Sequence, residues 1–230
     1  MIKKIKTFFW ELFRAMPLDD NFKNYDEYWK NRGFHAPSLN RAKIISQHIK
    51  SESRILDIGC GDGTIMEYLS KNNKPQEIIG IDISQKAVNF VNEKGFKAFK
   101  FDIFSDEFAE FLKDKKFDYI IITEVLEHVQ NPEIIMNLIK KHVLDSIFVS
   151  IPNAGFFVNR IRLLFGKFPL AMIQQHIKEH IRFWTLTDFL YWCTYLGFNI
   201  DSYFVSSGLY FKPLEFLEKL SPSLFAQQII

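Results

Sequence analysis

The chain has 230 residues, a net charge of +2 and 47% hydrophobic residues, including 25 Phe. This length suffices for one domain with a substantial core, and the near-neutral charge gives no electrostatic case for binding nucleic acid. The two cysteines, Cys60 and Cys193, match neither a metal-ligand spacing nor a disulfide framework, which predicts a cytoplasmic location. No run of 18 or more apolar residues occurs, so no transmembrane segment is predicted.

The N-terminal stretch MIKKIKTFFWELFRAM places apolar residues at helical spacing behind several lysines. Such a helix either binds weakly to a membrane surface or packs on its own domain, and packing is the commoner case. The residues that form this apolar spacing are Ile5, Phe8, Phe9, Leu12 and Phe13.

Apolar runs of strand length alternate with helix-like segments from residue 42 onwards. Because the runs are continuous rather than alternating, they predict a parallel sheet that is buried on both faces and flanked by helices. The predicted strands are Arg54–Ile58, Glu77–Ile83, Ala98–Phe101, Tyr119–Thr123 and Ser146–Ile151. One helix is predicted to begin at the N-cap Ser84 and to end at Gly95, and a second to begin at Asn131-Pro132. A third is predicted to begin at the N-cap Thr185, with Asp188 three residues later, and to end at Gly197.

The stretch ILDIGCGDGT follows the first strand and precedes a helix, as a nucleotide-binding turn does. Its spacing departs from the dinucleotide pattern, because Thr64 stands where the third glycine is expected. A pyrophosphate would be repelled by Asp57 and Asp62, whereas the ammonium and sulfonium of S-adenosylmethionine would be attracted. The glycines of the turn are Gly59, Gly61 and Gly63.

Two further acids end the next two strands. Asp82 closes IIGID, and an acid there can accept hydrogen bonds from both ribose hydroxyls. Asp102 in FKFDIF could accept a hydrogen bond from the adenine amino group. Each acid alone is equally well explained as a helix cap, but Asp57, Asp82 and Asp102 together favour a nucleoside site.

The segments ILDIGCGDGT, IIGIDIS, FDIF and FDYIIITEVLEHVQNPE resemble class I S-adenosylmethionine-dependent methyltransferases over roughly residues 50–205. The resemblance implies an α/β, Rossmann-like, doubly wound sheet of seven mostly parallel strands, with helices on both faces and a helical lid. The last strand would be antiparallel and supplied by SLFAQQII. The implied cofactor is S-adenosyl-L-methionine, held by Asp57, Gly59, Gly61, Asp82, Ile83, Asp102, Ile103 and Glu124.

Two subgroups share features with the chain. The stretches SIPNAGFFVNRIRLLFGKFPL and HIRFWTLTDFLYWCTYLGF resemble the methionine-biosynthesis protein W group, whereas EVLEH is similar to ubiquinone-type O-methyltransferases. We predict an N-terminal helical cap over 1–50, a cofactor-binding core over 51–152, an acceptor lid over 153–183 and the rest of the core over 184–230. The aromatic segment 18–35 would cover the cofactor. Its residues Tyr25, Tyr28 and Trp29 either line the acceptor pocket or, as is commoner, pack in the core.

His128 and His180 are the predicted catalytic bases, because a hydroxyl acceptor reacts faster when a base takes its proton. Glu124, Glu127 and His128 would share one face of a helix start and, with His180, could hold a divalent ion. The alternative places Glu124 at the cofactor and Glu127 on the surface, and no metal is assigned.

The predicted function is methyl transfer to a small-molecule acceptor, at oxygen. The lid contributes five cations against Glu179, which suggests an anionic acceptor such as a phosphorylated or nucleotide-linked sugar. Two alternatives remain: a regulatory partner of a homoserine acyltransferase, and an RNA methyltransferase. The lid cations are Arg160, Arg162, Lys167, Lys178 and Arg182.

Overall fold

The computed structural model describes residues 2–18, 24–34, 39–170, 173, 176–206, 217 and 220–230. It has an α/β fold with a mostly parallel sheet and surrounding helices, which confirms this part of the predicted fold class. The chain divides into two compact units. We call residues 21–125 and 131–149 the glycine-turn unit, and residues 1–20, 126–130 and 150–230 the lid unit.

The glycine-turn unit alternates strands and helices along the chain. Its helices are α2 (Tyr25–Arg32), α3 (Asn40–Ser46), α4 (Thr64–Asn72), α5 (Gln85–Glu93), α6 (Asp106–Leu112) and α7 (Pro132–Ile139). Its strands are β1 (Arg54–Ile58), β2 (Glu77–Asp82), β3 (Lys97–Lys100), β4 (Phe117–Thr123) and most of β5 (Val143–Pro152).

The strand order in this unit is β3-β2-β1-β4-β5, and β1 pairs in parallel with both β2 and β4. Ile58 is in register with Ile81 on β2 and with Ile122 on β4. The carboxyl ends of these strands therefore lie at one edge of the sheet, where ligands bind in open parallel sheets.

Branched apolar residues build the centre of this sheet. The two central strands are buried almost throughout, which explains why their sequences are apolar without alternation. Isoleucine suits such strands because its branched Cβ packs well on a pleated surface. The fully buried members include Ile55, Leu56, Ile58, Ile120, Ile121 and Ile122.

The lid unit contains α1 (Ile2–Phe13), α8 (Phe157–Leu164), α9 (Leu186–Tyr195), α10 (Pro222–Phe225), β6 (Val205–Ser206) and β7 (Gln228–Ile229). Short 3₁₀ turns occur at Leu126–His128 and Ile177–Glu179. Strand β7 pairs antiparallel with the end of β5 and with β6. The segment SLFAQQII therefore does supply an antiparallel strand.

Side-chain caps fix the helix starts as the sequence predicts. Ser84 accepts a hydrogen bond from the Ala87 amide at the start of α5, and Thr185 accepts one from the Asp188 amide at the start of α9. Pro132 is the first residue of α7, where its missing N–H costs nothing.

Helix α1 packs against α8 within the lid unit. Leu12 is buried in a cluster with Phe156 and Val158, and the Phe8 and Phe157 rings stack at 5.9 Å. The face of α1 that carries Phe8 and Leu12 therefore packs on its own unit. Within the described ranges, no helix combines the length and apolar character needed to cross a bilayer.

Candidate functional site

The glycine turn connects β1 to α4 in a backbone conformation that favours glycine. Gly59, Gly61 and Gly63 have φ angles of 74°, 55° and 73°. A Cβ at Gly59 would lie 2.2 Å from the Val125 Cγ2 atom, so only glycine fits there. The Gly59 amide donates to the Ile81 carbonyl at 2.7 Å, which ties the turn to β2. The lack of a side chain at Gly59 therefore lets Val125 pack directly against the backbone of the turn.

Asp82 links the turn to the next helix. Its Oδ2 atom accepts from the Gly61 amide at 2.9 Å, and its Oδ1 atom accepts from the Ser84 amide at 2.8 Å. Asp82 is buried, and burial raises the pKa of its carboxyl group. The sequence placed Asp82 correctly at a strand end but did not indicate its bond to the glycine turn.

Asp57 is a buried acid beneath the turn. Asp57 belongs to β1, and within the described residues neither oxygen of its carboxyl group has a hydrogen-bond partner. Burial, with repulsion from Asp82 second, raises the pKa of Asp57 to about 7. Asp62, also buried, adds to the negative potential while its Oδ1 atom accepts from the Thr64 amide at 3.0 Å. This concentration of acids favours a cationic ligand group.

Replacing Asp57 by asparagine should stabilise the ligand-free protein at neutral pH. The folded-state pKa is raised, so the unfolded chain ionises first and stability falls as pH rises from about 4 to about 7. The whole effect is at most about 4 kcal/mol. Urea unfolding between pH 4.5 and 8 should show the variant about 1–4 kcal/mol more stable at pH 7.5, with the difference shrinking towards pH 4.5. A difference that is constant with pH would contradict this account.

Glu124 follows β4 in a left-handed conformation, with φ at 55°. Its Oε1 atom lies 3.4 Å from the Arg41 Nη1 atom, and both side chains are largely shielded from solvent. The predicted helix start at Glu124 is wrong, because the helical turn begins only at Leu126 and is a short 3₁₀ turn. Sequence analysis also missed Arg41, which no nearby motif marks.

The other predicted cofactor residues lie in loops after β2 and β3. Ile83 is 47% exposed, and Ile103 is half-buried. Asp102 is exposed, and its Oδ1 atom accepts from the Phe104 amide at 2.9 Å. Their contacts with a cofactor stay predictions.

Helix α2 lies against the turn. A Cβ at Gly61 would come 2.9 Å from Trp29 Cζ2, so the indole ring contacts the turn directly. Asp26 anchors the helix by accepting from the Ser84 hydroxyl at 2.5 Å and from the Lys86 amide at 3.1 Å. The predicted cover over residues 18–35 is thus represented by α2, while residues 19–23 and 35 lie outside the described residues.

The lid unit brings together Glu127, His128 and His180. One ligand atom from each lies within 4.8 Å of the others, and the His128 and His180 ring centroids are 4.9 Å apart. Glu127 is only 1% exposed, so the alternative that it is a surface acid is wrong. The cluster forms because the 3₁₀ turn after β4 meets the segment that ends at His180, where the Ile181 amide donates to the Glu127 carbonyl at 2.8 Å.

Hydrogen bonding sets the chemistry of the two histidines. The His128 Nδ1 atom bonds the Glu179 carbonyl oxygen, which requires a proton on Nδ1. In the neutral ring this leaves His128 Nε2, 3.7 Å from Glu127 Oε1, as an acceptor. Burial, and to a smaller extent the electrostatic effect of His128, lowers the pKa of His180 to about 3. His180 is therefore neutral at physiological pH. Two imidazoles and a carboxyl group form a donor set that suits a base or a divalent ion.

The lid cations mostly bind backbone carbonyl groups. Arg162 is 3% exposed and donates to the Glu11 and Leu12 carbonyls, so its predicted role towards an acceptor is wrong. Arg160 donates to the Gly155 carbonyl at 2.6 Å but remains exposed. Arg182 is also exposed and bonds the Gln130 carbonyl.

Comparison of the sequence with known proteins finds a matching family and a related enzyme. The model of the family described as methionine biosynthesis protein MetW matches residues 40–229. Ubiquinone biosynthesis O-methyltransferase of Pasteurella multocida is 28% identical over 196 residues, covering 76% of this chain and 80% of that protein.

Solved structures share the fold. A SAM dependent methyltransferase from Archaeoglobus fulgidus aligns with a TM-score of 0.55 and 23% identity, covering 97% of this chain and 96% of that one. Magnesium protoporphyrin IX methyltransferase from Synechocystis, solved with bound SAH, aligns with a TM-score of 0.58 and 16% identity, covering 84% and 93%. At these identities the likeness shows the architecture only.

Proposed function

The chain belongs to the methionine biosynthesis protein MetW family and has the fold of class I S-adenosylmethionine-dependent methyltransferases, and from this premise we propose that it methylates a small-molecule acceptor at oxygen. S-adenosylmethionine is the methyl donor. The acceptor oxygen attacks the methyl carbon in line, the carbon–sulfur bond breaks, and S-adenosylhomocysteine leaves. Holding the reacting atoms in line contributes several kcal/mol, about 7 or more in favourable cases.

The observation that supports this donor most directly is the buried acid beneath the glycine turn. Asp57 has no hydrogen-bond partner within the described residues and is repelled by Asp82, so a cationic ligand group would stabilise its ionised form. The methionyl ammonium supplies that charge, directly or through a water. A pyrophosphate would add a further negative charge to the same region.

We propose that His128 accepts the proton of the acceptor hydroxyl. Its Nδ1–H is held by the Glu179 carbonyl, which leaves Nε2 as the basic nitrogen. His180, whose pKa is about 3, is too weak a base for this step at neutral pH and would instead accept a hydrogen bond from the acceptor.

A metal-assisted form of the same step is favoured by one observation. One ligand atom from each of Glu127, His128 and His180 lies within 4.8 Å of the others, a spacing at which a single cation could contact all three. Such an ion would lower the pKa of a hydroxyl bound to it. Glu124 is engaged with Arg41, so this form rests on Glu127, His128 and His180.

The charge of the acceptor is a second property, besides its reacting oxygen, that the exposed lid cations bear on. Because Arg162 binds the carbonyls of α1, the lid cations that could bind an anionic acceptor are the exposed Arg160, Lys178 and Arg182. An RNA acceptor has less support, since the net charge of +2 provides few phosphate contacts.

Incubating the protein with methyl-labelled S-adenosylmethionine and a metabolite extract should label a small molecule. We expect the label on an oxygen atom, and retention on an anion-exchange column if the acceptor is anionic. No labelled product, despite binding of S-adenosylmethionine, would contradict methyl transfer. In that case co-purification of a homoserine acyltransferase would support the second candidate, a regulatory partner; the family description names methionine biosynthesis only.

A further inference from the structure

One surface of the lid unit exposes large apolar side chains on two adjoining elements. On α1, Phe9, Trp10 and Phe13 are 52%, 58% and 55% exposed, although Leu12 on the same helix is buried. At the end of α8, Leu164 and Phe165 are 80% and 63% exposed. We call these residues, together with Leu163, the aromatic patch. Such a concentration is unusual for surface that stays in contact with water.

The two parts of the aromatic patch are adjacent. Helices α1 and α8 pack together, and the Arg162 guanidinium donates to the Glu11 and Leu12 carbonyls at 2.8 and 2.9 Å. Leu163, Leu164 and Phe165 follow Arg162 directly in sequence. Beyond them the Lys167 ammonium lies 6.0 Å from the centroid of the Phe13 ring. Both parts of the patch therefore lie on the same pair of packed helices.

The patch is also held firmly. The buried Arg162 binds the last carbonyls of α1, where a helix end lacks its own donors. Arg14, just after α1, donates to the Leu170 and Ile173 carbonyls at 2.6 and 2.7 Å. These bonds fix α1 on the lid unit, so Phe9, Trp10 and Phe13 are presented outward by a fixed helix.

The sequence ahead of the aromatic residues of α1 is positively charged. Lys3, Lys4 and Lys6 precede the aromatic residues, and the first acid in the chain is Glu11. Glu11 is neutralised by Arg14 at 3.0 Å. A surface that combines lysines with exposed aromatic rings matches the interface of an anionic bilayer, where rings insert among the headgroups.

We propose that the aromatic patch docks the lid unit on the surface of an anionic lipid bilayer, with α1 lying in the plane of the interface. Because no described helix is long and apolar enough to span a bilayer, the contact is interfacial. A second copy of this chain is a poorer occupant, since pairing two patches would bring their lysines together. This inference is independent of the proposed methyl transfer.

Vesicle sedimentation with the full chain tests the proposal. Vesicles of phosphatidylcholine with 30% phosphatidylglycerol should bind the wild-type protein at least about tenfold better than vesicles of phosphatidylcholine alone. The variant Phe9→Ser/Trp10→Ser/Phe13→Ser should lose at least about tenfold in binding because it removes the inserted rings. The variant Lys3→Gln/Lys4→Gln/Lys6→Gln should bind anionic vesicles more weakly and with less dependence on salt.

A matched control is Tyr191→Ser/Tyr195→Ser, which removes two aromatic residues of α9 that are 73% and 77% exposed. It should bind vesicles as the wild type does, and circular dichroism should show that all variants are folded. Failure of the wild type to bind anionic vesicles would overturn the proposal. So would equal binding by the triple serine variant, or a dimer in ultracentrifugation that this variant dissociates without any binding of vesicles.

Discussion

Replacing Asp82 by asparagine should weaken the binding of S-adenosylmethionine by about 100-fold or more. The Asp82 carboxylate accepts from the Gly61 and Ser84 amides, and both oxygens are needed as acceptors. Asparagine keeps the shape but turns an N–H group towards one of these amides. It also removes the charge that would strengthen hydrogen bonds from the ribose hydroxyls. Charge-assisted hydrogen bonds contribute about 1.5–3 kcal/mol each, so weakening one bond to the turn and one to the ribose gives the expected factor. Isothermal titration calorimetry with the cofactor and with S-adenosylhomocysteine measures it.

The matched control is Asp114→Asn. Asp114 is exposed in the loop before β4 and has a φ of 60°, a conformation that asparagine tolerates well. This variant should bind both nucleosides with wild-type affinity. A folded Asp82→Asn protein that binds them as tightly as the wild type would remove Asp82 from the cofactor site.

Much of the fold could be predicted because its determinants are local. Strand β1 was predicted to the residue, since its apolar run is bounded by Arg54 and by the glycine turn. Thr185 and Ser84 cap helices through hydrogen bonds to amides three residues away. Signals of this kind lie within one short stretch of sequence and need no knowledge of distant partners.

The errors concern contacts between residues that are distant in sequence. Arg162 was assigned to an acceptor because it is a cation in the lid, but its partners are the carbonyls of Glu11 and Leu12, about 150 positions away. The sequence around Glu127 gives no sign of burial. In the structure the segment at Ile181 hydrogen-bonds the Glu127 carbonyl, and the Glu127 side chain is buried. An isolated charged residue gives no signal for such burial, because tertiary packing decides it.

The cofactor and acceptor parts of the predicted site were predictable to different degrees. The acids at the ends of β1 and β2 follow from the strand pattern, because carboxyl ends of parallel strands share one edge. Arg41 could not be found, since it lies 83 positions before its partner Glu124. His128 and His180 were named individually, but only the structure shows their rings 4.9 Å apart.

Replacing His128 by glutamine should lower kcat by about 100-fold or more while leaving the affinity for S-adenosylmethionine unchanged, because the base acts only on the acceptor. Single-turnover assays with a labelled acceptor and calorimetry with the cofactor separate the two effects. His142→Gln is the matched control, since the His142 Nδ1 atom also bonds a backbone carbonyl, that of Lys115, at 3.0 Å. It should keep wild-type kcat, and an unchanged kcat in His128→Gln would exclude His128 from the reaction.

The same assay separates the base from the metal-assisted form. If His128 acts as a base alone, saturating EDTA leaves wild-type turnover unchanged, and His180→Gln has a smaller effect than His128→Gln because His180 only accepts a hydrogen bond. If Glu127, His128 and His180 hold an ion, EDTA abolishes turnover, added divalent metal restores it, and the two histidine variants lose activity together. The low pKa of His180, about 3, is compatible with both forms, because a neutral imidazole can ligate a metal or accept a hydrogen bond. The EDTA response therefore decides which chemistry the cluster performs.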